Sequence, residues 1–166
     1  MVPATAIPLH FDAVVAAPFG GIGVRIAEDA VAELVYLPAS MAAVVPRSSL
    51  AKLVAAQLEA YLADFRFRFD LPLAVRGSVF QQRVWRAIAS IPAGSAMTYG
   101  QVARQIQSAP RAVGQACGAN WFPLVVPCHR VLAAGGIGGF ASHADDGFHL
   151  GVKRWLLRHE KVAGYA

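Results

Sequence analysis

Short runs of Val and Ile dominate the first part of the chain, and turn-forming residues close each run. Pro18-Phe19-Gly20 ends the first run and Glu28-Asp29 ends the second. Strand-length apolar segments between such breakers are typical of an antiparallel meander or a pair of hairpins. The sequence therefore predicts three strands, at residues 10–17, 20–27 and 30–37.

The pattern changes at residues 48–62, where apolar positions recur at intervals of three and four. That spacing predicts an amphipathic helix. Ser48 or Ser49 is a suitable N-cap for it, because a serine hydroxyl accepts a backbone N–H of the first turn. We expect residues 1–75 to form a small α/β domain, with antiparallel strands and a helix, that supports the rest of the chain.

The second half of the chain is predicted to be mostly helical. Ser78 and Thr98 are suitable caps, and Pro92-Ala93-Gly94 and Ser108-Ala109-Pro110 separate the helical patterns. Two short helices joined by a tight connection resemble a helix-turn-helix. The predicted helices span residues 78–91, 98–106, 111–119 and 151–160. The predicted fold class is therefore α+β, with a mostly helical domain over residues 76–166.

The predicted helix at residues 111–119 contains two glycines, Gly114 and Gly118. Each costs roughly 1 kcal/mol in a helix interior relative to Ala, so close approach of another surface is expected to offset that cost. One such surface is the minor groove of DNA, where readout of sequence is degenerate. The alternative is tight helix packing inside the protein. Arg111 at the helix start is long enough to enter a base stack, or to make a phosphate or surface-ion contact.

Composition narrows the choice of partner only in part. The chain has 166 residues and is 56% hydrophobic, which suits one compact domain or two small ones. Residues 1–75 carry five Lys or Arg against seven Asp or Glu, whereas residues 76–166 carry ten against three. The basic half fits a polyanionic partner, and it equally fits a basic domain without one.

Membrane insertion and secretion are not expected. No apolar run reaches the roughly 18 residues that a membrane span requires. The N-terminus shows no basic segment followed by a continuous apolar stretch, so no secretion signal is predicted. Two cysteines do not make a disulfide scaffold, which favours an intracellular, reducing compartment and a free thiol.

Cys128 is the candidate nucleophile. Residues 124–126 are predicted to form a short buried strand that Pro127 ends, so that Cys128 lies at its exit. A thiol becomes reactive as the thiolate, which His129 and Arg130 are the right residue types to favour. In an extended segment adjacent side chains point to opposite faces, so His129 is expected to reach the sulfur through a turn or a bridging water.

A histidine that acts as a base needs a partner on its other ring nitrogen. Glu160 is the leading candidate, because Asp145 and Asp146 are expected to be solvated loop residues. Cys117 lies in an Ala/Gly-rich segment with no titratable neighbour in sequence. It is interpreted as a small buried hydrophobe, which is the usual state of a lone cysteine.

Several segments together resemble the O6-alkylguanine-DNA alkyltransferase family, also called methylated-DNA–protein-cysteine methyltransferases. The resemblance covers residues 77–160, and its order and spacing are specific even though each motif alone is weak. The segments are Met97-Thr98-Tyr99-Gly100, Arg111-Ala112-Val113-Gly114, Gly118-Ala119-Asn120, Pro127-Cys128-His129-Arg130-Val131 and Lys153-Arg154-Trp155-Leu156-Leu157.

The resemblance implies irreversible transfer of an alkyl group from O6-alkylguanine in double-stranded DNA to Cys128, and it leaves open whether O4-alkylthymine is a second substrate. His129 and Glu160 would form a relay with a water, and Asn120 would hold the turn before the active-site segment. Arg111 would fill the space left by a flipped guanine. The remaining residues implied in DNA or substrate binding are Tyr99, Ala112, Gly114, Arg130, Val131 and Phe140.

The same resemblance implies a monomer without a cofactor that binds the minor groove with little sequence preference. Rival interpretations are a binding module of the same fold, a Cys/His hydrolase and a structural DNA-binding protein. The loop Gly138-Gly139-Phe140-Ala141 departs from the family pattern, which has Tyr where this chain has Phe140. His143 and His149 in the altered segment 142–150 are interpreted as solvated loop residues rather than metal ligands, and no metal is expected.

Overall fold

The computed structural model describes residues 9–142 and 147–165. The chain divides into two compact units, Met1–Arg76 and Gly77–Ala166. The first unit combines a sheet with a helix, and the second is mostly helical. The predicted α+β fold class is thus confirmed.

The first unit contains a three-stranded antiparallel sheet in the order β1-β2-β3. Its strands are Ala13–Ala17, Gly20–Ala27 and Ala30–Leu37. Gly20 begins β2 with φ of +138°, and a Cβ there would lie 2.2 Å from the carbonyl oxygen of Leu37. Only glycine fits this position, which fixes the turn between β1 and β2.

Helix α1, Ser49–Ala63, packs its buried face against β1 and β2. Ser48 is its N-cap, and the Ser48 hydroxyl accepts a hydrogen bond from the backbone N–H of Ala51 over 3.1 Å. Val54 and Leu58 are completely buried on the inner face. Burial of such side chains stabilises the unit by roughly 1.5–3 kcal/mol each.

In the described part of the second unit there are four α-helices, one turn of 3₁₀ helix and a two-stranded parallel sheet. The helices are α2 Val79–Ala89, α3 Tyr99–Gln105, α4 Pro110–Gly118 and α5 Phe148–His159. The strands are β4 Met97–Thr98 and β5 Val131–Leu132, paired so that Met97 lies opposite Val131. Within the described residues, no helix is long and apolar enough to cross a membrane.

Local sequence signals set the starts of α2 and α3. Ser78 and Thr98 each form a capping box, with Gln81 and Gln101 respectively. In this arrangement the cap hydroxyl and the glutamine amide satisfy backbone groups reciprocally. Helices α3 and α4 pack together, as expected for a helix-turn-helix, and the buried indole of Trp85 in α2 donates to the carbonyl oxygen of Ala116 over 2.8 Å.

The strand predicted at residues 124–126 is wrong. Pro123 and Val126 instead form an isolated bridge with each other, and Leu124 has φ of +74°. Proline lacks the backbone N–H that a strand ladder needs, and Pro123 and Pro127 stand on both sides of this short apolar run. The chain therefore turns before Cys128, and Cys128–Arg130 form one turn of 3₁₀ helix.

Helix α5 begins at Phe148, three residues before its predicted start at residue 151. His149 consequently lies in the first turn of α5, where its ring contacts that of Phe148, and the loop assignment of His149 was wrong. His143, Asp145 and Asp146 lie outside the described residues.

Candidate active site

Cys128 lines a mainly apolar cavity of about 350 Å³ in the second unit. One wall comes from α4 and the N-terminus of α3, and the other comes from the loop between β5 and α5. Cys128 is only 5% exposed, so a reacting group must enter the cavity to reach the thiol. Lining residues include Tyr99, Gly114, Cys117, Gly118 and Phe140.

Asn120 organises the turn that presents the thiol. Its side-chain amide donates to the carbonyl oxygen of Val126 over 2.9 Å and to Sγ of Cys128 over 3.3 Å. Its Oδ1 accepts from the backbone N–H of Phe122 over 2.9 Å. One side chain therefore fixes both the turn at residues 122–126 and the direction of the sulfur.

The resting state of Cys128 is the thiol. A side-chain hydrogen bond with Cys117 and burial raise the pKa of Cys128 well above its ordinary value. The hydrogen bond from Asn120 and the positive charge of Lys153 act in the opposite direction. Since the thiolate is the nucleophile, a base near Cys128 has to take the proton when the reaction occurs.

His129 follows Cys128 in the chain and lies against Glu160 from the end of α5. Nε2 of His129 is 2.9 Å from Oε1 of Glu160, and both side chains are completely buried. Both ring nitrogens are buried and neither makes a hydrogen bond of regular geometry to a described residue, so Nε2 and the carboxylate form a close polar contact. A carboxylate on Nε2 favours the tautomer with the proton on that atom, which leaves Nδ1 as the acceptor.

The charge states of this pair suit a base. Burial lowers the pKa of His129, and it outweighs the opposing effect of Glu160, so the imidazole is neutral at neutral pH. Burial alone would raise the pKa of Glu160, but the contact with His129 and the hydrogen bonds from Arg130 hold it well below its usual value. A neutral imidazole backed by a carboxylate can accept a proton.

Arg130 lies against Glu160. Its guanidinium donates to both carboxylate oxygens of Glu160, each over 2.8 Å, and to the carbonyl oxygen of Ile91 over 2.6 Å. The side chain is only 12% exposed. Such a bidentate pair is a structural anchor for Glu160, and the expected contact of Arg130 with DNA or substrate stays a prediction.

Lys153 is completely buried, and although it belongs to one of the segments that carry the family resemblance, no role was expected for it. Its ammonium donates to the carbonyl oxygens of Val131 over 2.7 Å and Gly139 over 2.9 Å. It also lies 5.8 Å from the ring centre of Tyr99 and 5.7 Å from that of Phe140. Burial lowers the pKa of Lys153 to about 8, against the opposing effect of the two thiols.

Lys153 thus joins the strand after Cys128 to the loop on the far side of the cavity. A signal for it was present in the sequence, because Lys153 occupies the apolar face of α5 together with Leu150, Leu156 and Leu157. A lysine at such a position is almost never buried without carbonyl or carboxylate partners.

Tyr99 and Phe140 form the aromatic walls of the cavity. The Tyr99 hydroxyl donates to the carbonyl oxygen of Gly139 over 3.3 Å, and burial raises the pKa of Tyr99 well above its usual value. Phe140 is 7% exposed, so its ring is part of the wall. Both residues therefore lie at the cavity, as does Gly138, whose φ is +73°.

The two glycines of α4 differ in what they contact. A Cβ on Gly118 would lie 2.5 Å from Oγ of Ser142, so packing against the cavity loop explains that glycine. A Cβ on Gly114 would meet only the Tyr99 ring, at 3.9 Å, which is an ordinary contact. Packing within the protein therefore does not explain Gly114. Arg111 is exposed in the first turn of α4, and Ala112 beside it is half-buried.

Metal ligands do not converge in the part of the chain that the structure describes, where no three His, Cys, Asp or Glu side chains are grouped. The site consists instead of a thiol, a histidine–carboxylate pair and a buried lysine.

Residues 79–162 match the family model of the 6-O-methylguanine DNA methyltransferase DNA-binding domain. The chain belongs to this family. The resemblance drawn from the sequence motifs is thereby confirmed. The match covers the helices, the 3₁₀ turn and the strand that build the cavity.

Curated relatives include the methylated-DNA–protein-cysteine methyltransferases of Methanosarcina mazei and Mycolicibacterium paratuberculosis. The first is 43% identical over 111 residues, which is 65% of this chain and 66% of the relative. The second is 52% identical over 82 residues, which is 48% of this chain and 50% of the relative. The matched segments thus span between half and just under two thirds of these relatives.

Solved structures extend the likeness to most of the chain. The Mycobacterium tuberculosis O6-methylguanine methyltransferase matches with a TM-score of 0.73 and 33% identity, over 89% of this chain and 90% of that one. A structure of the Mycobacterium tuberculosis protein in complex with DNA matches with a TM-score of 0.73 and 35% identity, over 89% and 91% of the two chains.

Proposed function

We propose that this protein repairs DNA by moving the alkyl group of O6-alkylguanine irreversibly onto Sγ of Cys128. The observation that carries the proposal is a thiol inside an apolar cavity, followed in the chain by a completely buried histidine that is paired with Glu160. The curated relatives carry the name of this activity, and one of the similar structures is a complex with DNA.

The reaction is a displacement at the alkyl carbon. A bond forms between Sγ of Cys128 and that carbon, the bond between the carbon and guanine O6 breaks, and guanine keeps the electron pair and takes up a proton from water. Nδ1 of His129 takes the thiol proton through a bridging water, while Glu160 stabilises the imidazolium that forms. A thioether is stable and no cofactor takes part, so each molecule acts once.

Because the thiol is buried, the damaged base must leave the DNA double helix to reach it. An O6 substituent within stacked DNA cannot reach a sulfur inside a protein cavity, so the nucleotide must be flipped out. Arg111 is exposed at the start of α4, where it would fill the vacated space. Ala112 and Gly114 would let α4 approach the minor groove, where little sequence is read.

The cavity walls are proposed to hold the flipped base. Tyr99 and Phe140 would pack beside it, and Tyr99 would also help to swing its phosphate. The backbone at Val131 would face the base edge, with Lys153 keeping that strand in place through its bond to the Val131 carbonyl. Phe140 lacks the hydroxyl usual at its position, which alters the polarity of that wall.

We assign the transfer and DNA binding to residues 76–166 and a supporting role to residues 1–75. The protein would act as a monomer. Its proposed site is the reducing interior of the cell, because the chemistry needs a free thiol and both cysteines are free. Double-stranded DNA that carries the lesion is the proposed partner.

Peptide mass spectrometry tests the proposal. The protein is incubated with duplex DNA that contains O6-methylguanine, and the peptides are then searched for an added methyl group. We expect one methyl group on the Cys128 peptide and none in Cys128→Ala, with the yield limited to one per molecule. Tight binding without methylation would support a binding module instead and overturn the enzyme. A second duplex with O4-methylthymine tests that substrate separately.

A further inference from the structure

The cavity that holds Cys128 contains a second thiol. Cys117 lines it from the last turn of α4, and both cysteines are free and buried. The chain has no other cysteine. The transfer reaction uses Cys128 alone, so the neighbouring thiol takes no part in the chemistry proposed above.

Asn120 holds the two cysteines together. Its backbone N–H donates to the carbonyl oxygen of Cys117 over 3.2 Å, and its side-chain amide donates to Sγ of Cys128 over 3.3 Å. Cys117 lies close enough to Cys128 to raise the pKa of the Cys128 thiol, and both thiols influence the pKa of Lys153. Both thiols face the same cavity, and a disulfide between them requires the two sulfurs to approach to about 2.0 Å.

We propose that Cys117 and Cys128 form a reversible redox site, which a peroxide closes to a disulfide and a small thiol reductant reopens. The closed form has no acceptor thiol and cannot take up an alkyl group. That consequence for repair rests on the proposed function, whereas formation of the disulfide does not depend on it.

The oxidation balances with hydrogen peroxide as the oxidant. One sulfur attacks a peroxide oxygen, the O–O bond breaks, water leaves and the sulfur becomes a sulfenic acid. The second thiol then attacks that sulfur, and the hydroxyl leaves as water with the thiol proton. Two thiols give up two electrons and two protons, and one peroxide becomes two waters.

The second thiol protects the acceptor. A sulfenic acid on Cys128 with no thiol beside it continues to sulfinic and sulfonic acids, which a thiol reductant does not reverse. Cys117 lies on the wall of the same cavity and is placed to intercept the sulfenic acid first. The 5% exposure of Cys128 and the 9% exposure of Cys117 restrict this chemistry to small oxidants.

Intact mass under non-reducing conditions tests the site in the full-length protein. After hydrogen peroxide and a thiol-blocking reagent, we expect a monomer that has lost two hydrogens and carries no blocking group, and that dithiothreitol restores. Since the chain has only two cysteines, a disulfide within the monomer can only join this pair. Monomers that gain oxygen instead, or disulfide-linked dimers, would overturn the proposal.

Cys117→Ser is the matched variant, and its repair is compared with its own untreated level. We expect peroxide to lower wild-type repair at least about tenfold with recovery in dithiothreitol, and to leave Cys117→Ser without recovery. Equal recovery in both proteins would contradict the protective role. If the untreated wild type accepts no alkyl group, only the proposed function is overturned. The mass measurement then still shows whether the disulfide between Cys117 and Cys128 forms.

Discussion

Nε2 of His129 lies 2.9 Å from Oε1 of Glu160, and neither side chain is exposed to solvent. The same carboxylate receives two hydrogen bonds from the guanidinium of Arg130. Glu160 thus has two roles. It orients the imidazole of His129, the residue after Cys128, and it neutralises the guanidinium of Arg130, which is nearly buried. These two roles lead to separate predictions for one substitution.

Replacing Glu160 with Gln is expected to lower the free energy of unfolding by about 3–5 kcal/mol, because Arg130 keeps its buried charge and loses its counter-ion. The effect should depend on pH. The pKa of Glu160 is depressed in the folded protein, so its contribution is present above the unfolded value of about 4.3 and is lost as pH falls below it.

Urea unfolding of the wild type and Glu160→Gln at pH 7 and pH 3 measures this effect. The difference in stability between the two proteins should shrink at the lower pH. Glu59→Gln, at an exposed position on α1, is the matched control and should change stability little at either pH. A constant difference between wild type and Glu160→Gln at both values would contradict the assignment.

The pH profile of alkyl transfer tests the base. Burial lowers the pKa of His129 below the ordinary histidine value of about 6.5. The wild type should therefore keep its transfer rate as the pH falls past that value, and lose the rate only when the imidazole becomes protonated at lower pH. Glu160 raises that pKa, so Glu160→Gln should move the acid limb to lower pH and reduce the plateau rate. An unchanged profile would argue against the relay.

Lys153→Met should reduce transfer from a free O6-alkylguanine base roughly tenfold or more, since two hydrogen bonds of about 1 kcal/mol each are lost. The carbonyl oxygens of Val131 and Gly139 then lose their donor, and the positive charge that favours the Cys128 thiolate disappears. Lys52→Met, at an exposed position on α1, is the control. If both variants transfer at the wild-type rate, Lys153 has no positioning role.

The sequence predicted those features that depend on neighbouring residues in the chain. The caps at Ser78 and Thr98 were found because a capping box lies within four residues. Apart from the His129–Glu160 contact, which was expected because residues 76–166 hold only three acids, contacts between distant segments were not found. Arg130 meets Glu160 and Lys153 meets Val131 only after the chain has folded. The same reason applies to Cys117, interpreted as an inert core residue, because its contact with Cys128 depends on the turn at Asn120.

The prediction at residues 124–126 failed for a local reason. An apolar run of three residues is compatible with either a buried strand or a turn, and the hydrophobic periodicity of so short a segment does not distinguish the two. The two flanking prolines favoured the turn. The reactivity expected of Cys128 survives this correction, because the 3₁₀ turn Cys128–Arg130 still places the thiol at the cavity and His129 beside Glu160.

Arg111→Ala should slow repair of duplex DNA far more than transfer from the free base. Arg111 is exposed at the start of α4 and does not line the cavity, so its loss leaves the thiol and the pocket intact. Single-turnover rates with a lesion-bearing duplex and with the free base give the two values. Arg68→Ala, at an exposed position of the first unit, controls for loss of one positive charge. Equal losses with both substrates would exclude the role of Arg111 in base flipping.

The two glycines of α4 are expected to respond to alanine in opposite ways. Gly114→Ala should raise stability by up to about 1 kcal/mol, since helix propensity improves and the new Cβ meets only the Tyr99 ring at an ordinary 3.9 Å. Duplex repair should nevertheless slow, because the added methyl holds α4 away from the minor groove. Transfer from the free base should change less.

Gly118→Ala should instead disturb the cavity, because its Cβ would lie 2.5 Å from Oγ of Ser142. We expect slower transfer from the free base, and partial rescue in the double variant Gly118→Ala/Ser142→Ala, which removes the clashing hydroxyl. Thermal unfolding and single-turnover rates of the three variants separate helix stability, groove approach and loop packing. If Gly114→Ala repairs duplex DNA at the wild-type rate, close approach of α4 to DNA does not require a glycine there.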